Sequence, residues 1–99
     1  MKPLEGVTVL EFSTMITASF AAMMMAEQGA RVIKVEPMNV GDPMRYIGAN
    51  KGGISSLFAN CNRGKKSIRV NLKEKAGQNL IREMIGEADI FIHNFRPGV

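Results

Sequence analysis

The stretch from Val7 to Glu36 leaves this chain few folds to choose from. Val7-Thr-Val-Leu-Glu-Phe12 is rich in β-formers and follows Gly6, so it reads as a strand. Ile16 to Gln28 is rich in Ala and Met and apolar almost all round, the pattern of a helix buried on more than one side. Ser13 and Thr14 stand before it as N-cap residues, and Gly29 follows it as a C′ stop. Arg31-Val-Ile-Lys-Val-Glu36 is a second strand. Strand, helix and strand in so short a span make a βαβ unit, and hence a parallel pair with a crossover.

The remainder extends the pattern. Pro37 ends the second strand, and residues 38–54 read as loop, with Gly41-Asp42-Pro43, Gly48 and Gly52-Gly53 as breakers. A loop that long inside a compact domain is usually functional or mobile. Ser55 to Asn60 predicts a helical turn. Ser67-Ile-Arg-Val-Asn-Leu72 alternates and predicts a third strand. A second helix spans about 74–86, with Ala76, Leu80, Ile81, Met84 and Ile85 forming one buried stripe. Asp89 to His93 is a short buried strand. The order β-α-β-loop-β-α-β predicts an α/β fold, a Rossmann-like parallel sheet with flanking helices.

Asn94-Phe-Arg-Pro-Gly98 then reads as the turn leaving the carboxyl end of the last strand. Ligands of open α/β sheets bind just outside the carboxyl ends of the strands, which makes this turn a candidate ligand contact. The 99 residues suit one small unit. A turn containing Pro97-Gly98 normally leads into something else, so residues 1–99 are expected to be the N-terminal part of a larger domain.

Composition narrows the function. Thirteen basic residues against nine acidic ones leave a net charge of +4, but the signs are interspersed, which argues against a nucleic-acid partner. The densest basic run, Arg63-Gly-Lys-Lys66, reads as a solvated loop, with contact to a phosphate-bearing ligand as the sharper alternative. The single cysteine, Cys61, excludes an internal disulfide, points to a reducing compartment and reads as structural. The longest apolar run, Ala18 to Ala26, is too short to span a bilayer, and Met-Lys-Pro-Leu-Glu-Gly has no apolar signal core. A cytoplasmic protein with no membrane partner is expected. The eight methionines read as core filling rather than a plastic binding surface.

Familiar cofactor motifs fail. Glu36 stands where a ribose-binding acid would stand, yet the first βα turn, Ser13-Thr-Met-Ile-Thr-Ala18, has no glycine to let backbone approach a pyrophosphate. NAD is therefore not expected. A P-loop fails because Ala59 occupies the place of its first glycine relative to Gly64-Lys65. No His, Cys or carboxylate set has metal-ligand spacing, so no metal is expected. His93, the one histidine, reads as packed at a strand end.

Four stretches carry a family resemblance: Pro3-Leu-Glu-Gly-Val-Thr-Val-Leu-Glu-Phe12; Gly29-Ala-Arg-Val-Ile-Lys-Val-Glu-Pro37 with Gly41-Asp-Pro-Met-Arg45; Asn62-Arg-Gly-Lys-Lys-Ser-Ile-Arg-Val-Asn-Leu72; and Ala88-Asp-Ile-Phe-Ile-His-Asn-Phe-Arg-Pro-Gly98. In this order they resemble the N-terminal segment of the family III CoA-transferases, the group containing formyl-CoA transferase, carnitine and bile-acid CoA-transferases and α-methylacyl-CoA racemase.

The resemblance implies a CoA-binding Rossmann-like domain in an interlocked homodimer. It implies transfer of CoA from an acyl-CoA donor to a carboxylic acid acceptor, through an aspartate nucleophile that the family carries beyond the position matching residue 99. Neither Asp42 nor Asp89 matches it, so no catalytic residue is assigned. Ile16 and Thr17 match positions near the CoA thioester arm. Val70, Asn71, Leu72 and Lys73 match the stretch holding the adenine end. Asn94, Phe95 and Arg96 match a turn lining the nucleotide pocket. A contact made by arginine in some members falls on Pro37, and an acid common before Asn-Phe is His93 here. Cations at Arg63, Lys65, Lys66, Lys73 and Arg96 are expected near this edge, suited to phosphate oxygens. Two alternatives stand beside the transferase: a 2-methylacyl-CoA racemase of the same family, and a non-catalytic nucleotide-binding or interaction fragment.

Overall fold

A computed structural model describes residues 2–13, 16–38, 41–48, 50–52 and 54–97. The elements run β1 (Thr8–Phe12), α1 (Thr17–Glu27), β2 (Arg31–Glu36), a 3-10 turn (Pro43–Tyr46), β3 (Asn50–Lys51), β4 (Ile54–Ser55), α2 (Ser56–Asn62), β5 (Lys66–Arg69), α3 (Lys75–Glu87) and β6 (Ile90–His93). Four strands form one parallel sheet in the order β5-β2-β1-β6, and β3 and β4 pair as a small antiparallel ribbon. The expected α/β architecture with flanking helices is the one observed.

Side chains alternate across a strand, so each strand feeds two cores. On one face Leu10, Phe12 and Val35 join Val70 and Ile81 of α3, with Ile33, Ile68, Met84 and Phe95 packed around them. On the other, Val9 and Val32 join Ala22 of α1 and Ala30, with Leu4, Val7, Ile90 and Ile92 around them. Each fully buried Val, Leu or Ile is worth roughly 1.5–3 kcal/mol relative to exposure. Covering both faces is what a parallel sheet requires.

Several local expectations change. Ser13 does not cap α1, which begins at Thr17 with no side-chain cap; the Ser13 hydroxyl is occupied by Glu11 and Ser19 instead. Thr14 lies outside the described residues. α1 buries only Ala18, Ser19, Ala22 and Met23 and leaves Phe20 and Met24 about half exposed, so its all-round apolar character is not matched by all-round burial. Met23 and Met44 fill the core, whereas Met24 and Met38 do not. In α3 only Ile81 is fully buried; Leu80 and Ile85 face outward, so the stripe is narrower than the periodicity suggests.

The third strand runs over 66–69 rather than 67–72. Val70 N still donates to Glu36 O, but the chain then turns, and Glu74 N donates to Asn71 O. The expected loop over 38–54 contains the 3-10 turn, capped by the Asp42 carboxylate accepting from Met44 N, and the β3–β4 ribbon. The helical turn predicted at 55–60 is α2, capped by Ser55 Oγ. Gly29 ends α1 with φ +102, as its C′ role requires.

Candidate functional site

All three segments singled out in the sequence leave the carboxyl edge of the sheet. Ile16 and Thr17 follow β1 and open α1, Val70 to Lys73 follow β5, and Asn94 to Arg96 follow β6. A groove of about 350 Å³ is lined by Val70, Asn71, Leu72 and Lys73 together with Pro37 and Met38. A second hollow of about 460 Å³ is lined by Phe12, Leu72, Phe91, His93, Phe95, Arg96 and Pro97. Leu72 is common to both, so the two hollows adjoin. Ile16 and Thr17 line neither, but Thr17 Oγ1 accepts a hydrogen bond from Asn94 Nδ2 at 3.2 Å, which ties the opening of α1 to the β6 turn.

The groove's chemistry is mixed. Val70 and Leu72 give an apolar wall, and the turn is braced internally by Lys73 N donating to Asn71 Oδ1 at 3.0 Å. Lys73 and Arg96 are exposed cations, one in each hollow. A flat apolar ring joined to anionic groups suits such a surface. Rings step along the second hollow: Phe12 to Phe91 at 5.3 Å, Phe91 to His93 at 5.6 Å, and His93 to Phe95 at 5.8 Å between centroids. His93 is exposed at its strand end, in ring contact with Phe91 and Phe95, and its Nδ1 accepts from Phe95 N at 3.2 Å.

The other expected cations are elsewhere. Arg63 pairs with Glu27 at the far end of α1, at 2.6 Å. Lys65 is buried, paired with Glu11 at 2.6 Å and donating to Asn62 Oδ1 and Ser19 O. Lys66 opens β5, at the amino side of that strand. None of the three lines either hollow. The phosphate-facing alternative for Arg63-Gly-Lys-Lys66 therefore loses its support.

Glu36 is not presented to a ligand either. Its carboxylate is fully buried and accepts from Arg45 Nε and Nη2 at 2.7 Å each, from Asp42 N at 2.7 Å, and from the Ser67 hydroxyl. Burial raises its pKa, but the Arg45 and Ser67 hydrogen bonds, the Asp42 amide and the Arg45 charge outweigh it and bring the carboxyl down to about 2. A ribose-binding role would need this carboxylate free.

Sequence reasoning missed a buried polar network beneath the edge. Lys34 Nζ lies 2.9 Å from both Glu11 and Asp42 and donates to Ser19 Oγ at 3.1 Å. With Lys65 on Glu11 and Arg45 on Glu36, it links β1, β2, α1 and the loops after β2 and α2. Its signal was visible: Glu11, Lys34 and Glu36 occupy positions on the α1 face that strand alternation reserves for apolar residues. Among the described residues no cluster of three or more His, Cys, Asp or Glu could hold a metal ion, and no helix is long and apolar enough to cross a membrane.

An open parallel sheet flanked by helices, with the candidate residues leaving it at one carboxyl edge, defines an α/β protein of Rossmann-like fold. The chain belongs to CoA-transferase family III, whose family model matches residues 4–99. It is 40% identical to succinyl-CoA:glutarate CoA-transferase of Homo sapiens over 99% of this chain and 23% of that protein. It is 38% identical to acetyl-CoA:oxalate CoA-transferase of Acetobacter aceti, over 98% of this chain and 25% of that one. Formyl-CoA:oxalate CoA-transferase of Escherichia coli is also 38% identical, over 97% and 23%. Among solved structures, a CaiB/BaiF family protein from Brucella suis superposes with a TM-score of 0.89 at 34% identity, covering 98% of this chain and 27% of that one. A hypothetical protein from Mycobacterium tuberculosis gives 0.90 at 34%, over 99% and 27%. The chain spans about a quarter of the length of the curated relatives it matches.

Proposed function

We propose that the protein is a CoA-transferase that moves CoA from an acyl-CoA donor to a carboxylic acid acceptor, and that this segment supplies part of the CoA site. One observation carries the reading. The three segments that the family resemblance links to CoA leave one carboxyl edge, and one of them lines the groove together with Pro37 and Met38. Val70, Asn71, Leu72 and Lys73 receive the adenine end there. Asn94, Phe95 and Arg96 line the adjoining hollow and continue the nucleotide site. Ile16 and Thr17, tied to that turn through Asn94, approach the thioester arm. Residues 1–99 are the N-terminal part of a Rossmann-like CoA-binding domain, which works in the cytoplasm within an interlocked homodimer.

Chemically, this segment binds and orients. The apolar wall takes the base, while Lys73 and Arg96 offset phosphate charge. The bond-making carboxylate is assigned to none of these residues. The proteins reported above are named for acyl-CoA donors and carboxylate acceptors, which favours transfer over racemisation. Calorimetric titration of the complete protein with CoA, dephospho-CoA and NAD tests the reading. Preference for CoA over NAD is expected; absence of CoA binding by the folded protein, or preference for NAD, overturns it.

A further inference from the structure

Two segments line the groove, Pro37–Met38 and Val70–Lys73, and Glu36, which directly precedes the first, bonds to both the strand that leads into the second and the loop that follows the first. Its main-chain oxygen accepts from Val70 N at 3.2 Å, at the start of the Val70–Lys73 segment. Its carboxylate accepts from Ser67 of β5, the strand that leads into that segment. The same carboxylate accepts from Asp42 N and binds Arg45 through two nitrogens. Asp42 and Arg45 follow Pro37 and Met38, the other lining segment, in sequence. Gly41, at φ +73, gives the carboxylate its space: a Cβ there would stand 2.7 Å from Glu36 Oε1. Arg45 is held from behind as well, with its guanidinium 4.1 Å from the centroid of the Phe58 ring of α2. Neither Glu36 nor Arg45 lines the groove.

We infer that Glu36 and Arg45 are positioning residues for the nucleotide end of CoA. Their bidentate pair fixes the placement of the two lining segments relative to each other without meeting the ligand. A planar guanidinium suits this task because two parallel hydrogen bonds fix orientation as well as distance, which an ammonium cannot do. The inference rests on the groove being the CoA site proposed above.

The test uses the complete protein and two donors with the same acyl group, acyl-CoA and acyl-pantetheine. The second lacks the nucleotide, so it reports on everything except the groove. In Arg45→Lys the ratio of KM for acyl-CoA to KM for acyl-pantetheine is expected to rise about tenfold, the scale of one charged hydrogen bond. Phe58→Leu, which removes the platform but keeps the ion pair, is expected to raise it less and decides the matter alone if Arg45→Lys does not fold. A general loss of stability would move both donors together and leave the ratio fixed. If the unsubstituted protein binds CoA and the ratio stays fixed in the folded variants, the positioning role is overturned and the CoA reading survives. If the unsubstituted protein does not bind CoA, both fall.

Discussion

Asn94 reaches back to the opening of α1: its Nδ2 donates to Thr17 Oγ1 across 3.2 Å, between residues 77 positions apart. The bond joins the turn after β6 to the turn after β1, which is where a ligand crossing the sheet edge would meet both. It lies in an exposed setting, so its net contribution to folding is small, about 0.5–1 kcal/mol.

Thr17→Val keeps the shape of the side chain and removes the acceptor. We expect CoA affinity to fall roughly three- to tenfold while unfolding free energy shifts by no more than about 1 kcal/mol. Titration calorimetry beside urea unfolding separates the two effects. Equal losses in both would mean that the bond serves the fold alone.

Lys65 presents the opposite case, a cation deep in the fold. Burial pushes its ammonium below the usual lysine range, against the opposing pull of Glu11. Lys65→Met leaves Glu11 short of one counter-charge and is expected to cost about 3–5 kcal/mol in urea unfolding. The double variant Glu11→Gln/Lys65→Met should recover part of that loss, because an uncompensated buried charge is the larger penalty. A double variant less stable than Lys65→Met would contradict this.

Two glycines in α3 should respond with opposite sign. A Cβ on Gly77 would clash with Asn71 O, whereas one on Gly86 would meet nothing within 4 Å. Helix propensity alone favours alanine at both by up to about 1 kcal/mol. Gly86→Ala should therefore stabilise by that amount, and Gly77→Ala should destabilise by about 1–3 kcal/mol through overpacking. Thermal melts of the two variants decide it.

Acid should act through Glu36. Its folded pKa, about 2, lies below the ordinary 4.5, so the unfolded chain takes up the proton first as pH falls. The carboxylate's stabilisation is complete above the unfolded value and is lost on descent from about pH 4.5 toward 2, amounting to roughly 3 kcal/mol. Glu36→Gln should be less stable at neutral pH and should show a flatter acid limb in urea titrations across that window. A limb as steep as that of the parent would assign acid sensitivity to other groups.

Much of the fold was legible because β1, α1 and β2 each show their own periodicity and are punctuated by Gly29 and Pro37. The overrun of the third strand has a local cause. Val70-Asn71-Leu72 has strand-like alternation, but the turn at Asn71 and the close seat of Gly77 against it end the ladder. Ser13 was misread because a hydroxyl before a helix is usually a cap, and nothing local reveals that a buried Glu11 competes for it. The turns after β1, β5 and β6 were singled out through the family resemblance. Their mutual placement was not legible, since Thr17 and Asn94 meet only through tertiary packing. Glu11 and Lys34 were visibly out of pattern, yet their partners Lys65 and Asp42 come from loops whose paths periodicity does not describe.

The chain of buried pairs beneath the edge also has an electrical consequence. Glu11, Glu36 and Asp42 stand against Lys34, Arg45 and Lys65, equal numbers of each sign. Subtracting them leaves the net charge of +4 unchanged. These pairs add no net charge to the fold, so its excess of positive charge belongs to the other side chains, the exposed Lys73 and Arg96 among them.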